Sequence, residues 1–410
     1  MIVTLKEYDK LLIKDQRDLS KHIISQNDAI TLQSIIRDGE PVFKWGYKRL
    51  VAQHWVGSIA LPDFTIEILP KLYGFVSEND LRSVLTRMLL ISHQAPSVRR
   101  MPGMNELKPH SLMEMLIDTF ISSLENYTKE GVLHSYQKVK KNTDCIKGQI
   151  LFNKHFTKNI LDPVHFWCRY SVFEADNPLN RFFKLCLLEM NRISGDQYNR
   201  KRIKYCLSMF SEIGIVNKEQ ALNYKINFNS VNSRAEEPYY YGRLFLESVY
   251  STLSAGKVSI NTMLFDMNDL FQLFVYKVAK FAFGASVSYQ VRGHYMVRRI
   301  KDDKKLISLR PDIIIKNKDG TVSIIDTKWK IPAAFSKESD IYQMNAYSTG
   351  IKNVKKVYLL YPYIQKISFI GDYEFDDELG NVRPLGVRVV DLVGCLNWKQ
   401  FILDFKVLFD

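Results

Sequence analysis

The sequence predicts an α+β multidomain protein: a mostly-β N-terminal region, a helical middle, and a C-terminal α/β domain built on a mixed sheet. Three observations predict it. The chain has 410 residues, more than one hydrophobic core accommodates, so two or three domains are expected. The spacing of apolar residues changes from strand-like to helical near residue 110. In the last 150 or so residues (roughly, from the spacing of apolar runs) the two patterns alternate, which is how mixed sheets flanked by helices read. The expected domains are residues 1–105, 106–255 and 256–410, the last boundary falling in the Ser254-Ala-Gly-Lys257 stretch.

In the first region Val51, Trp55, Ile59, Leu61, Phe64, Ile66 and Ile68 have strand character, interrupted by Gly57, Pro62 and Pro70. Pro62-Asp63 reads as the tip of a hairpin, either an extended projection or an ordinary β-turn. In the middle region Leu112, Met115, Leu116, Phe120 and Leu124 follow the helical period. Asn177 followed by Pro178 reads as a helix N-cap with proline in the first turn. Residues 229–238 are turn-rich. In the last region the expected order is a helix over Met267–Phe283, strands to about Lys328, a helix capped by Ser336 and ending at Gly350, and a strand near residues 354–361.

Composition is that of a globular chain, 46% hydrophobic and 25% charged. The formal charge of +13 favours an acidic partner, with nucleic acid the commonest. Basic runs occur at Lys138–Lys141, Arg200–Lys204, Arg298–Lys305 and Lys352–Lys356. The five cysteines are scattered without a CxxC pair, so reduced thiols are expected rather than zinc. The N-terminal residues lack a signal-peptide apolar run, and no apolar run spans a bilayer. A soluble, cytoplasmic protein is expected. No GxxxxGK[ST] string is present, so the chain has no P-loop with which to hydrolyse nucleotide.

The chemistry concentrates in Arg310-Pro-Asp-Ile-Ile-Ile-Lys316, a turn Asn-Lys-Asp-Gly, and Thr321-Val-Ser-Ile-Ile-Asp-Thr-Lys328. Gly320 suits the left-handed position of a three-residue hairpin loop, Lys318-Asp319-Gly320. That loop opposes Asn317 to Thr321, and counting outward opposes Asp312 to Asp326. Opposed residues share a sheet face, and Lys328, two residues along, points the same way. Two adjacent carboxylates repel unless a cation lies between them. Mg²⁺ suits oxygen ligands and retains waters, with Mn²⁺ an alternative. On the following helix Gln343 and Tyr347 stand at i and i+4, on one face.

Pro311-Asp312, Asp326-Thr-Lys328 and Gln343-Met-Asn-Ala-Tyr347 resemble the PD-(D/E)xK nuclease pattern with a QxxxY helix. Within that superfamily the chain resembles McrC, the nuclease subunit of McrBC-type modification-dependent restriction systems. Supporting segments are Gly57–Lys71, Lys147-Gly-Gln-Ile150, Asp176–Arg181 and Met267–Val275. The resemblance implies a restriction-endonuclease-like C-terminal domain that hydrolyses DNA phosphodiesters in antiviral defence. It implies Asp312 and Asp326 as metal ligands, Lys328 as the catalytic cation, and Gln343 and Tyr347 as supports. It also implies a McrB-like AAA+ GTPase hexamer as partner, engaged by the N-terminal domain. One departure stands out: where the family often has a glutamate on the preceding helix, this chain has Gln272. Asn268 and Asp269 are possible substitutes, and His294 a further neighbour. Two alternatives stay open: a non-cutting regulatory subunit of a ring NTPase, and a stand-alone nuclease.

Overall fold

The structure, a computed structural model, describes residues 1–72, 76–93, 111–162, 164–253, 259–330, 337–364, 369–376 and 382–409. The chain falls into two compact units, Met1–Met113 with Ser248–Asp410, and Glu114–Glu247. The sequence pattern leads to an expectation of three domains. The difference arises because the segments on either side of the expected boundary belong to one sheet. Val249–Leu253 and Ser259–Asp266 pair antiparallel, while residues 254–258 themselves lie outside the described residues. Ser259–Asp266 then pairs with Trp55–Ala60.

The first unit contains two main sheets. Five strands lie in the order Ile2–Lys6, Thr65–Leu69, Trp55–Ala60, Ser259–Asp266, Val249–Leu253, with the first pair parallel and the rest antiparallel. Their core joins Val3, Leu5, Ile59, Ile66 and Ile68 to Ile260 and Leu264, so N-terminal strands are sealed by residues from beyond the expected boundary. Gly57 permits the close pairing: its φ is +138°, and a Cβ there would lie 1.9 Å from the Met263 carbonyl oxygen. The Pro62-Asp63 tip is an ordinary tight turn, closed by Leu61 N donating to Phe64 O at 2.9 Å. Its strands are buried members of the sheet rather than a projection, and Asp63 is held by Arg17 at 3.0 Å. Glu67, fully buried on the Thr65–Leu69 strand, accepts from Arg82 Nε at 2.6 Å and from Leu112 N at 2.5 Å, which satisfies an otherwise costly charge.

The second sheet is the mixed sheet the sequence predicts. Its order is Val287–Tyr289, Ile313–Lys316, Val322–Thr327, Val354–Pro362, Pro384–Val390, Gly371–Glu374, with the central Val322–Thr327, Val354–Pro362 and Pro384–Val390 mutually parallel. Helix Glu338–Gly350 lays Met344 and Tyr347 onto Ile314, Ile324, Val357 and Leu359. Helices Met267–Phe283 and Trp398–Val407 pack together through Phe274 and Phe401, rings 6.0 Å apart. The Met267–Phe283 helix has the expected bounds. Its Asp266 cap accepts from Asn268 N, and Met267 N donates to His54 O, seating the helix on the N-terminal strands. The Glu338–Gly350 helix ends where expected, but its N-cap position is Lys337; Ser336 lies outside the described residues.

The second unit carries helices Pro178–Ile193, Gln197–Met209 and Glu236–Ser248, and most of Leu112–Thr128. Asn177 caps as expected, its side chain accepting from Asn180 N, with Pro178 in the first turn. Within the region expected to be helical, Ser135–Thr143 and Phe166–Glu174 instead form a nine-residue antiparallel ladder, edged by Gln149–Ile150. Among the described residues all five cysteines are free, and no helix is long and apolar enough to cross a membrane.

Candidate metal centre

The hairpin has the register deduced from its loop. Ile313 opposes Ile325, Ile314 opposes Ile324 and Lys316 opposes Val322. Asn317 N donates to Thr321 O at 2.9 Å, and Gly320 has φ +82°. Continuing the count places Asp312 opposite Asp326. The ladder stops there because Pro311 precedes Asp312 and has no N–H to give. The Asp312 side chain takes over the pairing: its Oδ2 accepts from Thr327 N and Thr327 Oγ1, both at 2.8 Å. Its Oδ1 accepts from Gln272 Nε2.

Asp326 is 1% exposed. Lys328 Nζ stands 2.5 Å from its Oδ2 as an ion pair. Among the described residues Asp326 Oδ1 has no hydrogen-bond partner. Burial above all, then the nearby Asp312 charge, pushes the Asp326 carboxyl up to about 7, against the pull of Lys328. Burial likewise raises Asp312, with Thr327, Lys328 and Gln272 opposing. For Lys328 burial works against the charge, but Asp326 and Asp312 outweigh it and hold the ammonium above its ordinary range.

From Lys328 a relay of hydrogen bonds runs back to the loop before Asp312. Lys328 Nζ donates to Gln343 Oε1 at 2.9 Å, and Gln343 Nε2 donates to Tyr347 Oη at 2.8 Å. Tyr347 Oη in turn donates to Arg310 O at 3.0 Å. Burial and the neighbouring carboxylates raise the Tyr347 phenol, so it stays protonated and keeps donating. The six residues singled out from sequence (Asp312, Asp326, Lys328, Gln343, Tyr347 and Gln272) therefore belong to one connected cluster.

Other residues complete it. Gln290 N donates to Asp312 O at 2.8 Å, and its amide donates to Gln272 Oε1 at 3.2 Å while accepting from Arg310. Sequence reasoning does not single out Thr327 or Gln290; Arg310, beside Pro311-Asp312, at least lies within the motif. Of the two candidates beside Gln272, Asn268 N donates to the Asp266 cap at 2.7 Å, and the Asp269 carboxyl is raised by burial and then by Asp266 and Asp38. His294 lies on a separate strand, His294–Arg298.

A divalent cation suits the donor set. Asp326 presents two buried oxygens, Oδ2 paired with Lys328 and Oδ1 unpartnered among the described residues, beside a second carboxylate that repels it, and carboxylate oxygens of this kind bind hard cations. The set holds two carboxylates; among the described residues no group of three His, Cys, Asp or Glu forms a fuller cage.

Comparisons bear on the whole chain. In fold it is similar to a chain of the Thermococcus gammatolerans half-complex of McrB AAA+ hexamers with bound McrC, at TM-score 0.67 and 19% identity over 100% of both chains. A second Thermococcus gammatolerans McrBC complex overlaps 68% of this chain and 87% of its own, at 21% identity and TM-score 0.49. No curated protein matches the sequence. The family model for the McrBC 5-methylcytosine restriction system component matches residues 50–362. The chain belongs to that McrBC restriction-system family.

Proposed function

We propose that this chain is the McrC-like, DNA-cutting subunit of a McrBC-type complex, hydrolysing phosphodiesters with Mg²⁺ or Mn²⁺ at Asp312, Asp326 and Lys328. The observation that carries the reading is the buried Asp326 carboxylate, set between a second carboxylate and a lysine and with its Oδ1 unpartnered among the described residues. Asp312 and Asp326 would hold the cation. When bound, it supplies Lewis acidity, lowering the pKa of a water and offsetting charge on the phosphate.

The remaining work falls to the chain's own groups. Lys328, kept protonated by its acidic neighbours, places a fixed positive charge where negative charge develops on the phosphoryl oxygens. Gln343 holds that ammonium by accepting from it, and Tyr347 fixes Gln343 while tying down the Arg310 carbonyl. Thr327 and Gln272 aim the Asp312 carboxylate. With no P-loop in the sequence, any nucleotide-driven movement belongs to a partner. The partner proposed is a McrB-like AAA+ hexamer, and the substrate duplex DNA carrying a modified base such as 5-methylcytosine.

The test is cleavage of methylated plasmid by the chain with its AAA+ partner, nucleotide and Mg²⁺. Asp312→Ala and Asp326→Ala should each lower cutting by roughly 10²–10³-fold or more, while stimulation of the partner's nucleotide hydrolysis persists. Unchanged cutting by either variant refutes the assignment. A second reading, a non-cutting regulator of the ring, rests on Gln272 standing beside Asp312 in place of an acid. It requires Mg²⁺ to bind the wild-type chain no better than Asp312→Asn.

A further inference from the structure

Residues 294–309 form a two-stranded arm, His294–Arg298 paired antiparallel with Lys305–Leu309, which leads through Arg310-Pro311 directly into Asp312. At its base Leu309 is buried beside Gly350, at the end of the Glu338–Gly350 helix. Between the arm and the mixed sheet lies a cleft of about 660 Å³. Its walls carry Arg298, Lys305, Lys316, Lys352 and His294, and no aspartate or glutamate. Of the arm's two acids, Asp303 pairs with Arg298 at 2.6 Å and Asp302 with Arg299 at 2.8 Å, which leaves the lysines of the walls without an acid from the arm. Lys305, Lys316 and Lys352 are exposed and make no ion pair among the described residues. Three exposed ammonium groups along one groove give it a positive potential that attracts an anion.

The cleft is also in line with the chemistry. Ile314 and Lys316, which line it, stand two and four residues beyond Asp312 and share its sheet face by alternation. At about 3.4 Å per residue, Lys316 is roughly 14 Å from Asp312. That corresponds to about four phosphate steps along one DNA strand at ~3.4 Å each. The arm further exposes Ile300 and Ile307, 97% and 62% accessible, among its cations, a mixture of charge and apolar wedge that suits a nucleic-acid groove.

We propose that the cationic cleft under the 294–309 arm binds the sugar-phosphate backbone of the DNA duplex a few nucleotides from the bond to be cut. The proposal rests on the nuclease reading for its register with Asp312, but the binding itself does not depend on catalysis.

The experiment is fluorescence anisotropy of a labelled duplex of about 30 base pairs with the full chain in EDTA, repeated across NaCl concentrations. The Lys305→Ala/Lys316→Ala/Lys352→Ala variant should bind at least about tenfold more weakly at low salt. Its slope of log K against log salt should be shallower by about 3, near 0.9 for each phosphate that a lysine no longer neutralises. Wild-type affinity and slope in that variant overturn the proposal. So does an equal weakening in Arg200→Ala/Lys201→Ala/Lys204→Ala, since charge alone would then decide. So does a triple variant that keeps DNA but loses the AAA+ partner, which would make the cleft a protein interface. Unaltered melting and partner stimulation exclude misfolding. Asp326→Ala separates the two readings: it should bind DNA with the wild-type slope. A chain that loses binding in the cleft variant yet never cuts in wild-type form refutes the nuclease reading and retains the cleft.

Discussion

Replacing Asp326 by asparagine should make the metal-free protein more stable at alkaline pH while removing its activity. The carboxyl is pushed from 3.8 up to about 7, by burial first and Asp312 second. An acid raised in the folded state binds its proton more tightly there than when unfolded. Folding therefore bears no penalty from it below about pH 4, a growing penalty as pH rises, and the full penalty above 7. Three pKa units at ~1.36 kcal/mol each give an upper figure of about 4 kcal/mol. An asparagine amide in the same position finds no acceptor on one side, which returns ~1–2 kcal/mol. The net expectation is about 2 kcal/mol of stabilisation at pH 8 in EDTA, a few degrees in Tm, vanishing or reversing by pH 5. Denaturant melts of both proteins from pH 5 to 8 read it directly. With Mg²⁺ the order should reverse, because only the wild type gains binding energy, ~2.7 kcal/mol at a concentration 100 times Kd. A variant less stable at every pH, or a difference that ignores pH, refutes the argument that the Asp326 charge is held at a cost.

Lys328→Ala should lower cleavage by roughly 10²–10³-fold yet keep, or enlarge, the Mg²⁺-induced shift in melting, since it removes a cation that competes for Asp326; loss of the Mg²⁺ shift would mean the lysine organises the metal site instead. Glu7, 1% exposed, is raised by burial to about 7 and accepts from the Trp329 indole at 2.8 Å. Its folded-state penalty grows as pH rises from about 4.5 to 7, so Glu7→Gln should flatten the stability profile in that window. The Trp329 contribution to fluorescence should titrate near pH 7 in wild type and not in Glu7→Gln; an identical titration in both assigns it elsewhere.

Much of the site is legible in the sequence because its geometry is local. A three-residue loop with Gly320 in the left-handed region fixes the register of five residue pairs, and the register alone brings Asp312 opposite Asp326. The Met267–Phe283 helix is legible in its apolar period and its cap. What stays hidden depends on partners distant in sequence. Nothing near Ser259–Asp266 announces that it pairs with Trp55–Ala60, so a domain boundary is expected between two strands of one sheet. Ser135–Thr143 gives no strand signal because it has no apolar face: Tyr136, Lys138 and Lys140 alternate with Gln137, Val139 and Lys141, none of them buried. Glu7 and Gln290 carry no local signal. Each acquires meaning only from Trp329 or Asp312, which tertiary packing brings to it.

Gln272 explains why this centre is assembled as it is. Its amide nitrogen donates to Asp312 while its amide oxygen accepts from Gln290, so it takes both roles in one plane. A glutamate in its place would set a third carboxylate against Asp312 and could not donate to it. With glutamine, Asp312 is already satisfied on both oxygens by protein donors, and the unmet demand for positive charge collects on Asp326. A proton, Lys328 and a divalent ion therefore compete for the same carboxylate. Burial and Asp312 favour the proton, and Lys328 is shared with Gln343. If a divalent cation binds as proposed, burial and the repulsion between two acids, rather than a preformed cage, would favour it, and the same two effects would make its occupancy sensitive to pH.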